Sequence, residues 1–285
     1  MNFMNKNFLG CESSLADAEL VIFGAPFDGT VTFRPGARFA PSQMRLESVG
    51  LETYSPYFDM DLSDLRIHDA GDLELPFGEK EKALKIIGYT VENILRLNKK
   101  PLMIGGEHLV SLPAIKEVYK KYPDLVVIHI DAHTDLRDDY LEEPLSHSTV
   151  MKRVWELIGD NRIWQFGIRS GTREEFYWAR EGHTHLTLYN FDGLKDIVLN
   201  LTSKPVYLTI DLDVLDPSVF PGTGTPEAGG VSFHDLIDAL KTVSILNIVG
   251  ADIVELSPHY DHSGVSTAVA CKVLRELIMA VLCKK

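Results

Sequence analysis

Along this chain, short runs of apolar residues alternate with longer segments in which apolar positions recur every three or four residues. Eight runs read as strands, at residues 19–26, 66–71, 100–106, 125–133, 162–168, 184–189, 205–216 and 247–256. Several are apolar on both faces, as strands of a parallel sheet covered by helices on both sides must be. Between the runs, Leu84, Ile87, Val91, Ile94 and Leu95 mark one face of a helix. The stretch Ser232 to Asp235 has the form of a capping box before the helix that follows. The segment from Val265 to Leu282 is apolar but carries Lys272, Arg275 and Glu276, and reads as a packed amphipathic helix. Repeated strand–helix alternation predicts one doubly wound α/β domain over residues 1–285, with no linker, repeat or low-complexity stretch to divide it. Ligands of such sheets sit at the carboxyl ends of the strands.

Composition narrows the classes. The 285 residues are 45% hydrophobic, enough for a sizeable core, and carry a net charge of −13. Such a balance argues against nucleic acid or an anionic membrane as partner and is compatible with a small cationic substrate. No run approaches the ~18 apolar residues of a membrane span, and the first ten residues lack the features of a signal peptide. The three cysteines, Cys11, Cys271 and Cys283, have no metal-type spacing and read as reduced thiols of a cytoplasmic protein.

The unusual residues gather where apolar runs stop. After "VVIHI" come Asp131, His133 and Asp135, and after "VYLTI" come Asp211 and Asp213. In an extended chain, side chains at i and i+2 share a face, so each set can converge. The two glycines of "IGGEH" permit a tight turn that brings His108 to the same rim. Four carboxylates so placed would be driven to protonate unless cations of total charge about +4 lay among them. The set predicts two divalent metal ions. Nitrogen and oxygen donors without thiolate suit manganese or a similar dication. Two dications would acidify a shared water, so the chemistry expected is metal-assisted hydrolysis. His129, inside its strand, reads as a hydrogen-bonded core histidine, and Asp216 as a turn or cap residue.

Together, "GGEH", "DAHTD" and "TIDLDVLDP" resemble the ureohydrolase family of arginases and agmatinases, and the resemblance runs from "GAPFDGTVTFRPGARF" to "DIVELSPHYDHSG". It implies an arginase-type three-layer α/β/α domain with a mostly parallel eight-stranded sheet, two manganese ions per subunit, and a homotrimer or homohexamer. The family's metal ligands fall on His108, Asp131, His133, Asp135, Asp211 and Asp213. Glu255 matches the acid that pairs with the substrate guanidinium, and His147 a histidine that shuttles protons. Asp135 is the expected proton carrier to the leaving amine, and Asp252 a supporting or rim acid. Many members have Asp and Ser around the first ligand histidine, where this chain has Glu107 and Leu109. Neither position is a ligand in the pattern, so the difference points to a branch. After "DAHTD" the chain is acidic, with Asp138, Asp139, Glu142 and Glu143. This loop is similar to that of agmatinases and aminopropylagmatine ureohydrolases. It leads to the expectation that Asp138 and Asp139, with Glu255 and His147, bind a guanidine bearing a distal ammonium. Agmatine would yield putrescine and urea; aminopropylagmatine would yield spermidine and urea. A binuclear phosphoesterase would want basic residues at this rim, and a non-catalytic metal-binding homologue is the remaining alternative.

Overall fold

The computed structural model describes residues 7–283; residues 1–6 and 284–285 of the expected domain, with most of the stretch read for a signal peptide, lie outside the described residues. The strands are β1 (Leu20–Ala25), β2 (Tyr54–Ser55), β3 (Met60–Asp61), β4 (Ile67–Asp72), β5 (Lys100–Gly105), β6 (Val126–Ile130), β7 (Ile163–Ile168), β8 (His185–Leu188), β9 (Pro205–Asp211) and β10 (Asn247–Val254). The helices are α1 (Ala40–Ser48), α2 (Lys80–Arg96), α3 (Ser111–Lys121), α4 (Val150–Ile158), α5 (Arg173–Trp178), α6 (Leu194–Leu201), α7 (Phe233–Val243) and α8 (Val265–Leu282). Each of the eight apolar runs holds one strand of a single sheet, ordered β4-β1-β5-β10-β9-β6-β7-β8, and every neighbouring pair is parallel. The antiparallel pair β2–β3 lies apart and carries no apolar run to announce it.

Alternation within each strand builds two cores. Val21, Phe23, Met103 and Val127 pack with α2, α3 and α4 on one face, where the expected stripe of α2 is buried. Leu20, Ile22, Leu102, Ile128 and Ile210 pack with α1, α6, α7 and α8 on the other. The result is a three-layer α/β/α architecture. Ser232 caps α7 as expected, its hydroxyl accepting from the Asp235 amide.

Helix α8 departs from the amphipathic expectation. Arg275 and Glu276 are buried, not solvated. Arg275 Nη2 meets Glu276 Oε1 at 2.5 Å and its Nη1 donates to the carbonyls of Glu52 and Tyr54. Glu276 also accepts from Ser55 Oγ. The helix can therefore be enclosed on nearly every side, because its internal charges are matched by one another and by the β2 region. No helix among the described residues is long and apolar enough to cross a membrane. The three cysteines are unpaired, with Cys11 and Cys271 buried.

Candidate metal centre

The central strands β5, β10, β9 and β6 stand side by side, and their carboxyl ends deliver every residue of the candidate site. Gly106 makes the turn after β5 possible. A Cβ there would stand 1.9 Å from the Phe27 carbonyl oxygen, the same oxygen that accepts from the Glu107 amide. His108 then opens a short 3₁₀ turn over the strand ends.

Three carboxylate oxygens surround His108 Nδ1: Asp131 Oδ2 at 3.0 Å, Asp135 Oδ2 at 3.2 Å and Asp211 Oδ2 at 3.4 Å. Nδ1 is buried and makes no hydrogen bond. The other ring nitrogen explains why. His108 Nε2 lies 2.9 Å from Thr209 Oγ1, and that hydroxyl donates to Asp252 Oδ1 at 2.6 Å. With its proton committed to Asp252, the hydroxyl can only accept from Nε2–H, so Nδ1 is the nitrogen turned to the three acids. Burial acts to lower the His108 pKa, but Asp131, Asp135 and Asp211 outweigh burial and raise it well above 6.5. The acids call for a cation among them, a proton on Nδ1 or a metal ion that Nδ1 would ligate in its place. Asp252, a supporting acid in expectation, thus acts through Thr209, and it also accepts from Tyr207 Oη at 2.7 Å.

A second position adjoins the first. His133 Nδ1 lies 3.0 Å from Asp213 Oδ2 and 3.5 Å from Asp131 Oδ1. Asp131 therefore turns one oxygen towards each position and can bridge them. These donors form two clusters of metal-binding spacing, one of His108, His129, Asp131 and Asp135, the other of Asp131, His133 and Asp213. The six ligands expected from the sequence are thus brought together in one buried place, and the donor set fits a pair of divalent cations. His129 is the buried, hydrogen-bonded core histidine expected, and it also faces the centre, with Nε2 2.8 Å from Asp131 Oδ2 and Nδ1 2.9 Å from Gln165 Nε2. Positions 129 and 131 share a strand face, a signal that was available in the spacing.

The electrostatics match this crowding. Burial and the charges of Asp213 and Asp131 push Asp211 well above the usual carboxylate range, and burial and Asp131 raise Asp135. Burial also acts upwards on Asp131, but the surrounding imidazoles, His129 foremost, outweigh it and hold that carboxyl low. Two of the acids adopt left-handed backbone, Asp135 at φ 53° and Glu255 at φ 66°. A residue with a Cβ is held there only when its surroundings demand it.

The centre lies at the floor of a cavity of about 270 Å³, lined by Glu255, His147, Arg137, Tyr140, Thr225 and Phe33 among others. Glu255 Oε1 accepts from the His108 amide at 2.7 Å. His147 reaches the opposite wall through Thr30: its Nδ1 lies 3.1 Å from the Thr30 carbonyl, so Nδ1–H donates and Nε2 is left basic. Burial lowers the His147 pKa, against the pull of Asp135. Glu107 supports the same wall, accepting from Thr30 N at 2.9 Å and Thr30 Oγ1 at 2.7 Å.

The acidic loop is placed differently from expectation. Asp138 and Asp139 do not line the cavity. Asp138 pairs with Lys152 at 3.0 Å and Asp139 accepts from the Glu142 amide. Glu143 pairs with Lys80 at 2.5 Å, while Arg137 faces the cavity, its guanidinium 4.7 Å from the centre of the Tyr140 ring. Asp216 is a turn residue, accepting from the Gly229 and Gly230 amides and from Ser218.

Residues 18–280 match the arginase family model, and with this cradle on this sheet the chain belongs to the arginase family. It is a hydrolase of the guanidino carbon–nitrogen bond, most like the agmatinases. The agmatinase of Bacillus subtilis strain 168 is 48% identical over 280 residues, 97% of each chain. The N(1)-aminopropylagmatine ureohydrolase of Thermococcus kodakarensis is 40% identical, covering 84% of this chain and 83% of its own. A Clostridium difficile crystal structure, provisionally assigned as an agmatinase, is 55% identical with TM-score 0.93, covering 94% of this chain and 98% of that one.

Proposed function

We propose that this chain hydrolyses agmatine to putrescine and urea, using two manganese ions per subunit, as a cytoplasmic homotrimer or homohexamer. The observation that carries the reading is His108 Nδ1 held among Asp131, Asp135 and Asp211, with Glu255 and His147 on the walls of the same cavity. The likeness to agmatinases supports the choice of substrate. His108, Asp131, His133, Asp135, Asp211 and Asp213 would hold the metals. Manganese or a similar dication supplies a nucleophilic water at neutral pH and stabilises charge developing on the substrate.

The chain's own groups do the rest. Glu255 commits one oxygen to the His108 amide and has the other for the planar guanidinium, which it orients by charge-assisted hydrogen bonding. Asp135, on the cavity wall and beside the ligand cluster, carries a proton from the attacking water to the leaving amine. His147, with Nε2 free, exchanges protons with solvent. A second cavity of about 340 Å³ shares Thr32 and Tyr140 with the first, and that space favours aminopropylagmatine as the alternative substrate.

Urea release and bound metal, measured on manganese-loaded protein with agmatine, aminopropylagmatine, arginine and 4-guanidinobutyrate, test this. Preference for agmatine supports the assignment. Preference for aminopropylagmatine moves it to the longer tail, and preference for 4-guanidinobutyrate would make Arg137 a carboxylate partner. Two metals bound with no urea from any of the four would overturn the reading.

A further inference from the structure

With Asp138, Asp139 and Glu143 engaged elsewhere, the distal end of the substrate needs another partner. Glu175 lines the cavity, but its carboxylate already takes hydrogen bonds from Thr134 Oγ1, Leu136 N and Thr172 N, at 2.7, 3.0 and 2.6 Å. Glu227 differs. Its Oε1 accepts from Ser170 Oγ at 2.9 Å and lies 3.9 Å from His133 Nε2, and both of those residues line the cavity. Its Oε2 takes no hydrogen bond among the described residues, and its side chain, 42% exposed, reaches the cavity only through its contacts with Ser170 and His133.

The backbone around Glu227 is fixed. Arg169 Nη2 donates both to the Glu227 carbonyl at 2.8 Å and to the Asp213 carbonyl at 2.7 Å, tying this segment to the metal-ligand strand. The same segment begins beside the guanidinium acid: a Cβ on Gly224 would stand 3.8 Å from Glu255 Oε2. Thr225 follows on the cavity wall, its hydroxyl 3.3 Å from Asp213 Oδ2. Three residues of chain span at most about 10 Å, and a four-carbon tail separates a guanidino nitrogen from its terminal amine by about 6 Å. One short segment thus begins beside the acid facing the guanidinium and ends on an acid that touches Ser170 and His133 of the cavity lining.

We propose that Glu227 is a specificity-determining residue that receives the distal ammonium of the substrate. This deepens the guanidine-hydrolase reading above and rests on it. A carboxylate with one oxygen held by Ser170 and the other open is oriented before binding, so the pairing costs little side-chain entropy.

The test compares kcat/KM for agmatine and for n-butylguanidine, which has the same chain length without the ammonium, in manganese-loaded wild type, Glu227→Gln and Glu227→Asp. In Glu227→Gln the agmatine-to-butylguanidine ratio should fall about tenfold or more, through KM, with metal content unchanged. Glu227→Asp should recover part of the ratio. An unchanged ratio in an active Glu227→Gln enzyme overturns this inference alone. A parallel fall for both compounds with loss of metal also overturns it, assigning Glu227 to His133 instead. Wild type that releases urea from neither compound overturns the hydrolysis reading, and this inference with it.

Discussion

Two buried clusters of acid in this protein have opposite characters. Around Asp69, every negative charge has its partner within the chain. Arg45 Nη2 and Nε reach Asp69 Oδ1 and Oδ2 at 2.8 and 2.7 Å, its Nη1 meets Asp72, and the Phe8 amide completes Asp69. Around Asp131, four carboxylates and three imidazoles converge with no lysine or arginine among them, and one ring nitrogen is left without a hydrogen bond. Asp69 and Asp131 are both buried, so burial of charge does not mark function. Missing compensation does. The first cluster completes a fold, whereas the second is complete only with something the chain does not encode.

The sharpest way to break this comparison is to remove one charge at each place. Asp131→Asn should abolish metal retention and lower guanidine hydrolysis by about a hundredfold or more, since the bridging acid serves both positions. Metal analysis and urea assay read this directly, and full turnover with one metal absent would end the two-metal account. Asp211→Asn should leave the metal-free protein as stable as before, or more so, because burial and the charges of Asp213 and Asp131 disfavour its carboxylate. Arg45→Met, in contrast, strands Asp69 without its counter-charge and should cost about 3 to 5 kcal/mol in denaturant unfolding. If both variants lose stability equally, the two clusters are alike after all.

Smaller effects sharpen the picture. His147→Asn should reduce kcat about a hundredfold while metal content stays constant, since only proton exchange is removed. Loss of metal in that variant would reassign the residue. Burial lowers the His147 pKa from 6.5, disfavouring the imidazolium. The free base therefore persists to more acid pH than in an exposed histidine. With metal saturating, the acid half-point of kcat should lie below 6.5; a half-point above 6.5 would contradict the assigned environment. Asp252→Asn should weaken metal affinity about tenfold, through Thr209 and the tautomer of His108, with the fold intact.

Much of this was legible in the order of residues alone. The eight strands announced themselves because a parallel sheet covered on both faces needs continuous apolar runs. The metal ligands did so because acids at every second position of a strand end repel one another unless a cation holds them together. The facing of the acidic loop was not legible. Asp138 and Glu143 are claimed by Lys152 and Lys80, which come from α4 and α2, and no local pattern shows which distant lysine a loop acid will meet. Arg275 and Glu276 misled for the same reason, since their matches in the β2 region lie more than 200 positions away. Glu227 sits in a loop of ordinary composition, and only its proximity to Ser170 and His133 sets it apart.

Strand β10 comes last in chain order among the described strands, yet it lies between β5 and β9. On the ribosome, β5, β6 and β9 emerge first and leave a gap that only residues 247–254 can fill. Asp211 pairs in register with Val254, and Glu255 follows immediately. A nascent chain therefore carries all six candidate ligands well before the sheet that aligns them is closed. Alignment of the candidate ligands is thus tied to the synthesis of β10, and a polypeptide cut short before it would hold the ligands without the site.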